Sequence, residues 1–366
     1  MQQDECCCGP SAKTSICYLE IERIGEIDTP VGTFPVVPTT WSWRDHLGTL
    51  SVRFGYGRMD YAVKPGLYSI GRPTQDSPVL VSANYKLSFD VLRGELSGLD
   101  CWILVLDTKG VNVWCAAGKG TFGTAEIIRM VKESELAHVV SHRELILPQL
   151  GAPGVSAHAV ERQTGFAVTY GPVRASDIRA FLANGMVATK EMRQVTFGLA
   201  DRLSVSLMEL TEAGKKGFLI SLVLWLLLSF GPAGFQLSYG WHRAGFAIIG
   251  LWTAILTGTV LTAALLPILP GRMFSLKGAF AGLLSGVLLA AISKHFRLFP
   301  VFPVPAASLI LLIVAISAYL AMNFTGASTF TSLSGVKKEI KCSMPWITSA
   351  AVLSAGLQIL RLFLIL

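Results

Sequence analysis

The run CWILVLDTKG (101–110) and the segment NVWCAAGKGTFGT (112–124) directly after it decide the fold class of the first half of the chain. Residues 101–107 form a nearly continuous apolar run of the length that is typical of a strand buried on both faces. The residues after Thr124 have helical spacing as far as Leu136, and Thr124 itself is a suitable helix N-cap. This strand, loop and helix predict one unit of an α/β sheet.

Similar units repeat on both sides of this one. The further predicted strands are PVLVSA (78–83), HVVSH (138–142), ELILP (144–148) and GFAVTYG (165–171), and the further helices are VSAHAVERQT (155–164) and ASDIRAFLANG (175–185). Alternation of strands with helices predicts a mostly parallel sheet. In such sheets ligands bind beyond the carboxyl ends of the strands, and segment 112–124 is expected to lie there.

The domain boundaries follow from changes in composition. Residues 1–34 contain the breakers Gly9-Pro10 and Thr29-Pro30 and are expected to be a loosely packed lead-in. Residues 35–212 are expected to form an α/β Rossmann-like domain, although 191–212 are ambiguous and favour a strand pair or a strand leading into a membrane region.

The remaining residues, 213–366, are expected to form an all-α transmembrane domain. Residues 1–217 carry 22 Lys and Arg against 23 Asp and Glu, whereas residues 218–366 carry nine Lys and Arg and one acid, Glu339. The net positive charge therefore belongs to an apolar region and does not indicate a nucleic-acid surface. The five predicted membrane helices are 218–237, 245–267, 273–293, 300–322 and 345–366. The distribution of Lys and Arg places the α/β domain in the cytoplasm.

The cysteines do not form a paired framework. The chain has seven, at positions 6, 7, 8, 17, 101, 115 and 342, and it has no C-x-x-C pair that would indicate an iron–sulfur or zinc site of its own. Cys6, Cys7 and Cys8 are either a soft-metal trap or a tail without function, and the second interpretation is favoured at this stage.

Segment 112–124 does not match a phosphate-binding loop. That motif needs G-x-x-x-x-G-K-[ST], but Val113 stands at the first glycine position and Gly120 follows Lys119. Two interpretations of Cys115 remain open, a buried structural thiol or a ligating or nucleophilic one. A helix starting at Trp114 would place the thiol in its first turn and Lys119 on the same face, and both favour a thiolate.

The cysteine-containing segment resembles the cap-helix motif of the corrinoid mercury-methylating membrane proteins (the HgcA family). SIGRPTQDSPVLVSANYKLSFD (69–90) and NFTGASTFTSLSGVKKEIK (323–341) are also similar to segments of that family. HRELILPQLGAPGVSAHAV (142–160) and GPVRASDI (171–178) resemble, in addition, the corrinoid iron–sulfur protein of acetyl-CoA metabolism. The resemblance covers most of residues 60–366.

The resemblance implies a corrinoid-dependent methyltransferase with a cobalamin-type cofactor. It implies a methyl transfer from methyl-Co(III) corrinoid to Hg(II), with Cys115 as the lower axial cobalt ligand and the catalytic residue. The expected partners are a small ferredoxin with two [4Fe–4S] clusters, a folate-type methyl donor, Hg(II) and membrane lipid. The residues expected around the corrinoid are Asn112, Val113, Trp114, Cys115, Ala116, Ala117, Gly118, Lys119, Thr121, Gly171 and Pro172.

Two other functions stay open. One is a membrane-anchored methyl carrier of one-carbon metabolism in the acetyl-CoA pathway, and the other is a non-enzymatic corrinoid carrier or sensor. Individual residues also keep two interpretations: Asn112 either contacts the corrin rim or shapes the turn, and Trp114 either shields the ring or packs in the core. The expected location is the inner cell membrane, crossed several times, with the corrinoid domain in the cytoplasm.

Overall fold

The computed structural model describes residues 18–231, 234–296, 303–327 and 333–364. The chain divides into two compact units, one made of the residues up to Val52 and Tyr56–Val195, the other of Arg53–Gly55 and the residues from Thr196 onward. The first unit is built on a mixed β-sheet and the second is helical, so the coarse division into an α/β part and a helical part is confirmed.

The first unit contains one seven-stranded sheet. Its strands are β1 (Gly25–Thr29), β2 (Gly32–Val36), β3 (Gly66–Ile70), β4 (Val79–Ala83), β5 (Cys101–Leu106), β6 (Glu144–Leu147) and β7 (Ala167–Tyr170), in the order β1-β2-β3-β5-β4-β6-β7. Strands β5, β4, β6 and β7 are parallel, as predicted. The hairpin β1–β2 and the antiparallel pairing of β3 with β5 extend the sheet at one edge and make it mixed.

Helices cover both faces of the sheet. They are α1 (Trp43–Arg53), α2 (Lys86–Glu95), α3 (Val113–Lys119), α4 (Thr124–Glu133), α5 (Leu136–Val139), α6 (Ala157–Thr164) and α7 (Ile178–Ala183). Successive residues of a strand point to opposite faces, and β5 shows this clearly. Leu104 packs with residues of α3, α4 and α6, whereas Ile103 packs with residues of α2 and α7.

Two local predictions are wrong. Residues 138–142 are not a strand, because His138 and Val139 close the short helix α5 and the following residues lead into β6. Residues 191–212 contain no strand, since the helix α8 (Leu199–Leu227) begins within them. Gly198 precedes this helix, and its backbone N–H donates to the Asp201 carboxylate at 3.0 Å, so the sequence carries a helix start there.

The second unit consists of helices with one short hairpin. Helix α8 is followed by β8 (Phe230–Gly231) and β9 (Gly234–Phe235), then by α9 (Leu237–Leu256), a π-helical turn (Thr257–Leu261) and α10 (Thr262–Leu265). The remaining helices are α11 (Phe274–His295), α12 (Pro303–Met322), α13 (Phe324–Ala327) and α14 (Leu333–Leu364). Their glycines permit close packing: a Cβ at Gly282 of α11 would lie 3.0 Å from the Cα of Val314 in α12.

The prediction of five membrane spans is corrected to two candidate spans among the described residues. These are Leu237–Leu265 and Phe274–Phe296, which are long and apolar enough to cross a bilayer by length and composition. The predicted span 218–237 is interrupted because α8 ends at Leu227, only a few turns after Lys215 and Lys216. The spans 300–322 and 345–366 each extend beyond the described residues, and the described part of the first is the shorter apolar helix Ala306–Met322.

Candidate functional site

Helix α3 carries Cys115 directly after the carboxyl end of β5. Asn112 caps this helix, because its side-chain oxygen accepts a hydrogen bond from the Cys115 backbone N–H at 2.9 Å. Gly120 ends the helix in the left-handed conformation, with φ of 80°, which glycine adopts without strain. The prediction of Cys115 in the first turn of a helix is therefore confirmed, and Asn112 shapes that turn.

One face of α3 is open. Ala116 and Ala117 are buried against the sheet and the neighbouring loop, whereas Trp114 is 46% exposed and Cys115 is partly exposed. With about 100° between successive helical residues, Trp114, Gly118, Cys115 and Lys119 lie in that order along an arc of roughly 140°. A Cβ placed on Gly118 would meet nothing within 4 Å. The partly exposed thiol thus lies beside an exposed surface that Trp114 and Lys119 border.

Asn84 fixes the loop that delivers α3. It is fully buried at the carboxyl end of β4, and its side-chain oxygen accepts hydrogen bonds from Thr108 N–H (3.1 Å), the Thr108 hydroxyl (2.8 Å) and Gly110 N–H (3.0 Å). Its amide nitrogen donates to Asp107 at 3.2 Å. The sequence analysis did not single out Asn84, although a polar residue directly after the buried run VLVSA (79–83) is a signal that sequence reasoning can use.

The loop after β6 packs against α3. A 3₁₀ turn spans Gln149–Gly154, and a Cβ on Gly154 would lie 2.3 Å from the Phe122 carbonyl oxygen and 3.0 Å from the Cα of Ala117. Gly151 allows an equally close approach of the Phe122 ring. Strands β4 and β6 are neighbours whose following segments turn to opposite faces of the sheet, which is where α/β sheets open a ligand crevice.

The same loop contacts the last predicted site residues. Gly171 and Pro172 follow β7, are buried, and meet the loop through the Gln149 N–H, which donates to the Pro172 carbonyl at 3.4 Å. The structure thus links the α3 residues and the Gly171–Pro172 pair through residues 149–154. Thr121 sits just past α3, where its N–H donates to the Ala116 carbonyl at 3.0 Å.

Among the described residues, the Gln149 side-chain oxygen is buried without a hydrogen-bond partner. A buried acceptor of this kind is costly unless a donor reaches it. Gln149 begins the 3₁₀ turn that packs against α3. The exposed surface at Gly118 and the partly exposed sulfur of Cys115 are, by contrast, accessible to a large flat ligand with a thiophilic metal.

The other cysteines differ in environment from Cys115. Cys101 lies at the start of β5, fully buried, and burial raises the pKa of its thiol to about 12. Cys342 is exposed on α14 in the second unit. Cys6, Cys7 and Cys8 lie outside the described residues. Within the described part of the chain, three or more His, Cys, Asp or Glu side chains do not cluster as a metal site would require.

A buried cluster of charged side chains joins α1 to α2. Lys86 bridges Asp45 and Asp90, each at 2.5 Å, and Arg93 contacts the same two carboxylates at 2.8 Å. Burial alone would raise the pKa of Asp45, but the hydrogen bonds from Lys86 and Ser42 outweigh it and hold this pKa well below its usual range. His46 beside it stacks on Trp41 in this cluster, away from α3.

Comparison with known proteins finds similarity over part of the first unit. A family model described as CO dehydrogenase/acetyl-CoA synthase delta subunit matches residues 45–182. The acetyl-CoA decarbonylase/synthase complex subunit gamma of Methanocaldococcus jannaschii is 36% identical over 35% of this chain and 26% of its own length. That of Methanopyrus kandleri is 36% identical over 33% of this chain and 26% of its length.

A further relative is the corrinoid/iron-sulfur protein large subunit of Moorella thermoacetica, 32% identical over 38% of this chain and 30% of its own length. The chain thus matches only about a quarter to a third of these relatives. The matched region contains β3 to β7 and α3, including Cys115 and Gly171–Pro172.

Proposed function

We propose that this chain binds a corrinoid on the open face of α3 and takes part in corrinoid-dependent methyl transfer as a methyl carrier. The corrinoid assignment is supported by the similarity to the corrinoid/iron-sulfur protein large subunit of Moorella thermoacetica and by the match of residues 45–182 to an acetyl-CoA synthase subunit family. When bound, a corrinoid supplies a cobalt centre that accepts and releases a methyl group.

The observation that carries the proposal is the placement of Cys115 on the open face of α3. The Asn112 cap orients the first turn, Asn84 fixes the loop before it, and Gly118 leaves space beside the thiol. In the proposal Cys115 would offer its sulfur to cobalt, and Trp114 and Lys119 would border the ring. Asn112, Val113, Ala116, Ala117, Thr121, Gly171 and Pro172 shape this surface.

The test is a comparison of corrinoid binding and absorption spectrum between the wild-type chain and Cys115→Ala. We expect the wild type to retain the corrinoid with a spectrum altered by sulfur ligation, because a thiolate is a strongly donating ligand. Cys115→Ala should lose that spectral change, and the control Cys342→Ala, which removes an exposed cysteine of the second unit, should keep it. Identical spectra for wild type and Cys115→Ala would exclude the ligation.

A second candidate function is transfer of the methyl group to Hg(II). It is favoured by Cys115, because a soft sulfur donor raises the electron density at cobalt and suits release of the methyl group to a soft electrophile. Assembled with a reductant such as a small ferredoxin with two [4Fe–4S] clusters and a folate-type methyl donor, the chain would then form methylmercury from Hg(II). Methyl transfer to a physiological acceptor without formation of methylmercury would exclude this second function and support the methyl-carrier function only.

We also propose that the second unit resides in the inner cell membrane. Helices Leu237–Leu265 and Phe274–Phe296 support this by length and composition. The first unit would then be cytoplasmic, in keeping with the basic residues that precede and follow the apolar helices. Resistance of the chain to alkaline extraction from membranes tests the location, and release into the soluble fraction would contradict it.

A further inference from the structure

Helix α1 exposes an apolar side. Trp43, Leu47 and Leu50 are 67%, 55% and 48% exposed. With about 100° between successive helical residues, these three side chains fall within an arc of roughly 60°. The exposed side of α4, by comparison, carries charged residues such as Arg129 and Lys132. Helix α1 therefore differs from an ordinary surface helix of a globular domain, which turns its apolar side inward.

The opposite side of α1 is held in the fold by Asp45, the only acid in this helix. Its carboxylate accepts hydrogen bonds from Lys86 at 2.5 Å and from Arg93 at 2.8 Å, and both of these partners are buried. Thr49 and Val52 are buried on the same side. The ion pairs thus fix the rotation of α1 about its axis, and the apolar side is exposed as a consequence of that fixed packing.

Basic side chains flank the apolar side of α1. Arg44 lies on one flank, and His46 and Arg53 lie on the other, all of them exposed. Glu20 and Glu22 line a cavity together with Arg44 at the first turn, so the uncompensated positive charge lies toward the Arg53 end. An apolar strip that includes tryptophan and is flanked by cationic residues is typical of helices that lie in the interface of a bilayer.

The carboxyl end of α1 continues into the second unit. Residues Arg53–Gly55 belong to that unit, and a Cβ on Gly55 would lie 3.6 Å from the Met208 side chain of α8. Further along α8, from Phe218 onward, the exposed residues are apolar. The ten residues from Met208 to Phe218 correspond to about 15 Å of helix. The end of α1 is thus attached close to the point where α8 becomes apolar.

We propose that α1 is a membrane-contacting helix, whose apolar side inserts among the lipid headgroups while Arg53 binds their anionic groups. The proposal rests on the proposed membrane location of the second unit. Two observations favour lipid over a protein partner: the cationic flanks complement the negative surface potential of a cytoplasmic leaflet, and the attachment at Met208 lies next to the apolar part of α8.

The first test uses the whole chain in lipid nanodiscs, one copy in each disc. The discs contain phosphatidylcholine, phosphatidylglycerol and a photoactivatable phospholipid whose reactive group lies in the upper part of the acyl chain. Cleavage after Arg44 and Arg53 releases most of α1 as one peptide, and mass spectrometry measures its lipid adducts. We expect this peptide to be labelled. Leu47→Gln combined with Leu50→Gln should lower the labelling severalfold, because polar side chains leave the interface.

Matched controls separate lipid contact from a change in folding. Val187→Gln alters another side chain of the first unit that is 62% exposed, and it should leave the labelling of α1 unchanged. The peptide 144–162, whose helix α6 exposes polar residues, serves as the unlabelled reference. All variants should keep the same corrinoid spectrum, since the substitutions lie outside the α3 face. Equal labelling of α1 in the wild type and in the double glutamine variant would overturn the proposal.

The second test changes the charge of the lipid. Discs of phosphatidylcholine alone should lower the labelling of the α1 peptide and leave that of Phe274–Phe296 unchanged, because only α1 is held by charge. Labelled Phe274–Phe296 with an unlabelled α1 peptide would remove the α1 proposal and leave the membrane location standing. Absence of adducts on both would refute both. Adducts on α1 only in discs that hold two copies would assign its apolar side to a second copy and refute the lipid contact.

Discussion

At the scale of single residues, the two cysteines of the first unit that the structure describes, Cys101 and Cys115, are distinguished by their surroundings. Cys101 and Cys115 stand at opposite ends of one strand-and-helix unit, and only Cys115 reaches the surface. Burial excludes reagents from Cys101 and raises the pKa of its thiol to about 12, so that almost none of it is thiolate near neutral pH.

This difference predicts selective alkylation of the folded chain. With iodoacetamide at about pH 8, Cys115 should be modified at least tenfold faster than Cys101, and unfolding in denaturant should remove the difference. Peptide mass spectrometry over time gives both rates. Equal rates in the folded chain would mean that Cys101 is not enclosed in the sheet.

Asn84 is the residue whose loss should matter most to the loop before α3. Asn84→Ala removes an acceptor of Thr108 and Gly110; Thr108 keeps its bonds to the Leu106 and Val111 carbonyls, whereas the Gly110 N–H loses its acceptor. The loss should lower the free energy of unfolding by about 1–3 kcal/mol. Chemical denaturation measures the change. The control Asn184→Ala, at an exposed position, should lower the free energy of unfolding much less. Equal decreases for the two variants would show that the hydrogen bonds of Asn84 do not stabilise the loop.

At the scale of elements, the site depends on how closely the loop 149–154 approaches α3. Gly154→Ala places a methyl group 2.3 Å from the Phe122 carbonyl oxygen, and overpacking of this kind costs about 1–3 kcal/mol. Gly118→Ala meets open space, and alanine favours the helix. We expect thermal denaturation to show a lower midpoint for the first variant and an unchanged or higher midpoint for the second.

A larger side chain at Gly118 distinguishes an effect on packing from an effect on corrinoid binding. Gly118→Phe should leave the denaturation midpoint close to that of Gly118→Ala and weaken corrinoid retention, since the ring occupies the open face beside Cys115. A corrinoid affinity that Gly118→Phe does not change would contradict the placement of the ligand on this face.

The buried charges that join α1 to α2 predict a loss of stability in acid. The folded-state pKa of Asp45 is lowered, so its stabilisation is present above the unfolded-state value of about 4 and is lost as the pH falls below it. The denaturation midpoint should therefore decrease between about pH 5 and pH 2. Asp45→Asn should be less stable near neutral pH and show a smaller decrease, and parallel curves would contradict the role of Asp45.

Particular elements show what the sequence can predict. Strands β4 and β5 are buried on both faces and β6 nearly so, and their continuous apolar sequence made them predictable. Strand β7 has the same apolar sequence but lies at the edge of the sheet and is only partly buried. The run at 138–142 has the same branched residues, but its position just after α4 is taken by the short helix α5, which no local pattern distinguishes from a strand.

The sequence predicted Cys115 and its neighbours on α3, but it did not predict the residues from other strands that hold α3 in place. Cys115 and its neighbours share one short segment, so the local spacing was enough to place them on a helix after a strand. Asn84 binds the loop before α3 from the end of β4, and residues 149–154 pack against α3 from the end of β6. Only the strand order, which the sequence does not specify, brings these segments together.

At the scale of the whole molecule, the second unit differs from prediction in the number and the bounds of its long apolar helices. Composition alone suggested five spans, whereas α8 starts at Leu199 among charged residues and ends at Leu227, too early for the first of them. Charged residues near the start of α8 and of α14 lie on helices that continue into apolar sequence. Hydropathy along the chain does not show where such helices begin and end.

The family match lies within the first unit. It ends at residue 182, before the helical unit begins at Thr196. A region similar to an acetyl-CoA synthase subunit family and a helical unit with two candidate membrane spans among its described residues are thus joined in one chain. This combination is the reason to test corrinoid chemistry on the whole chain in a membrane or detergent rather than on the first unit alone.

The measurement that tests the central claim most directly is cobalt X-ray absorption of the corrinoid bound to the whole chain. We predict one sulfur neighbour of cobalt in the wild type and in Cys342→Ala, and its loss in Cys115→Ala. Cobalt surrounded by nitrogen and oxygen alone in the wild type, or a sulfur neighbour that persists in Cys115→Ala, would contradict the assignment of Cys115.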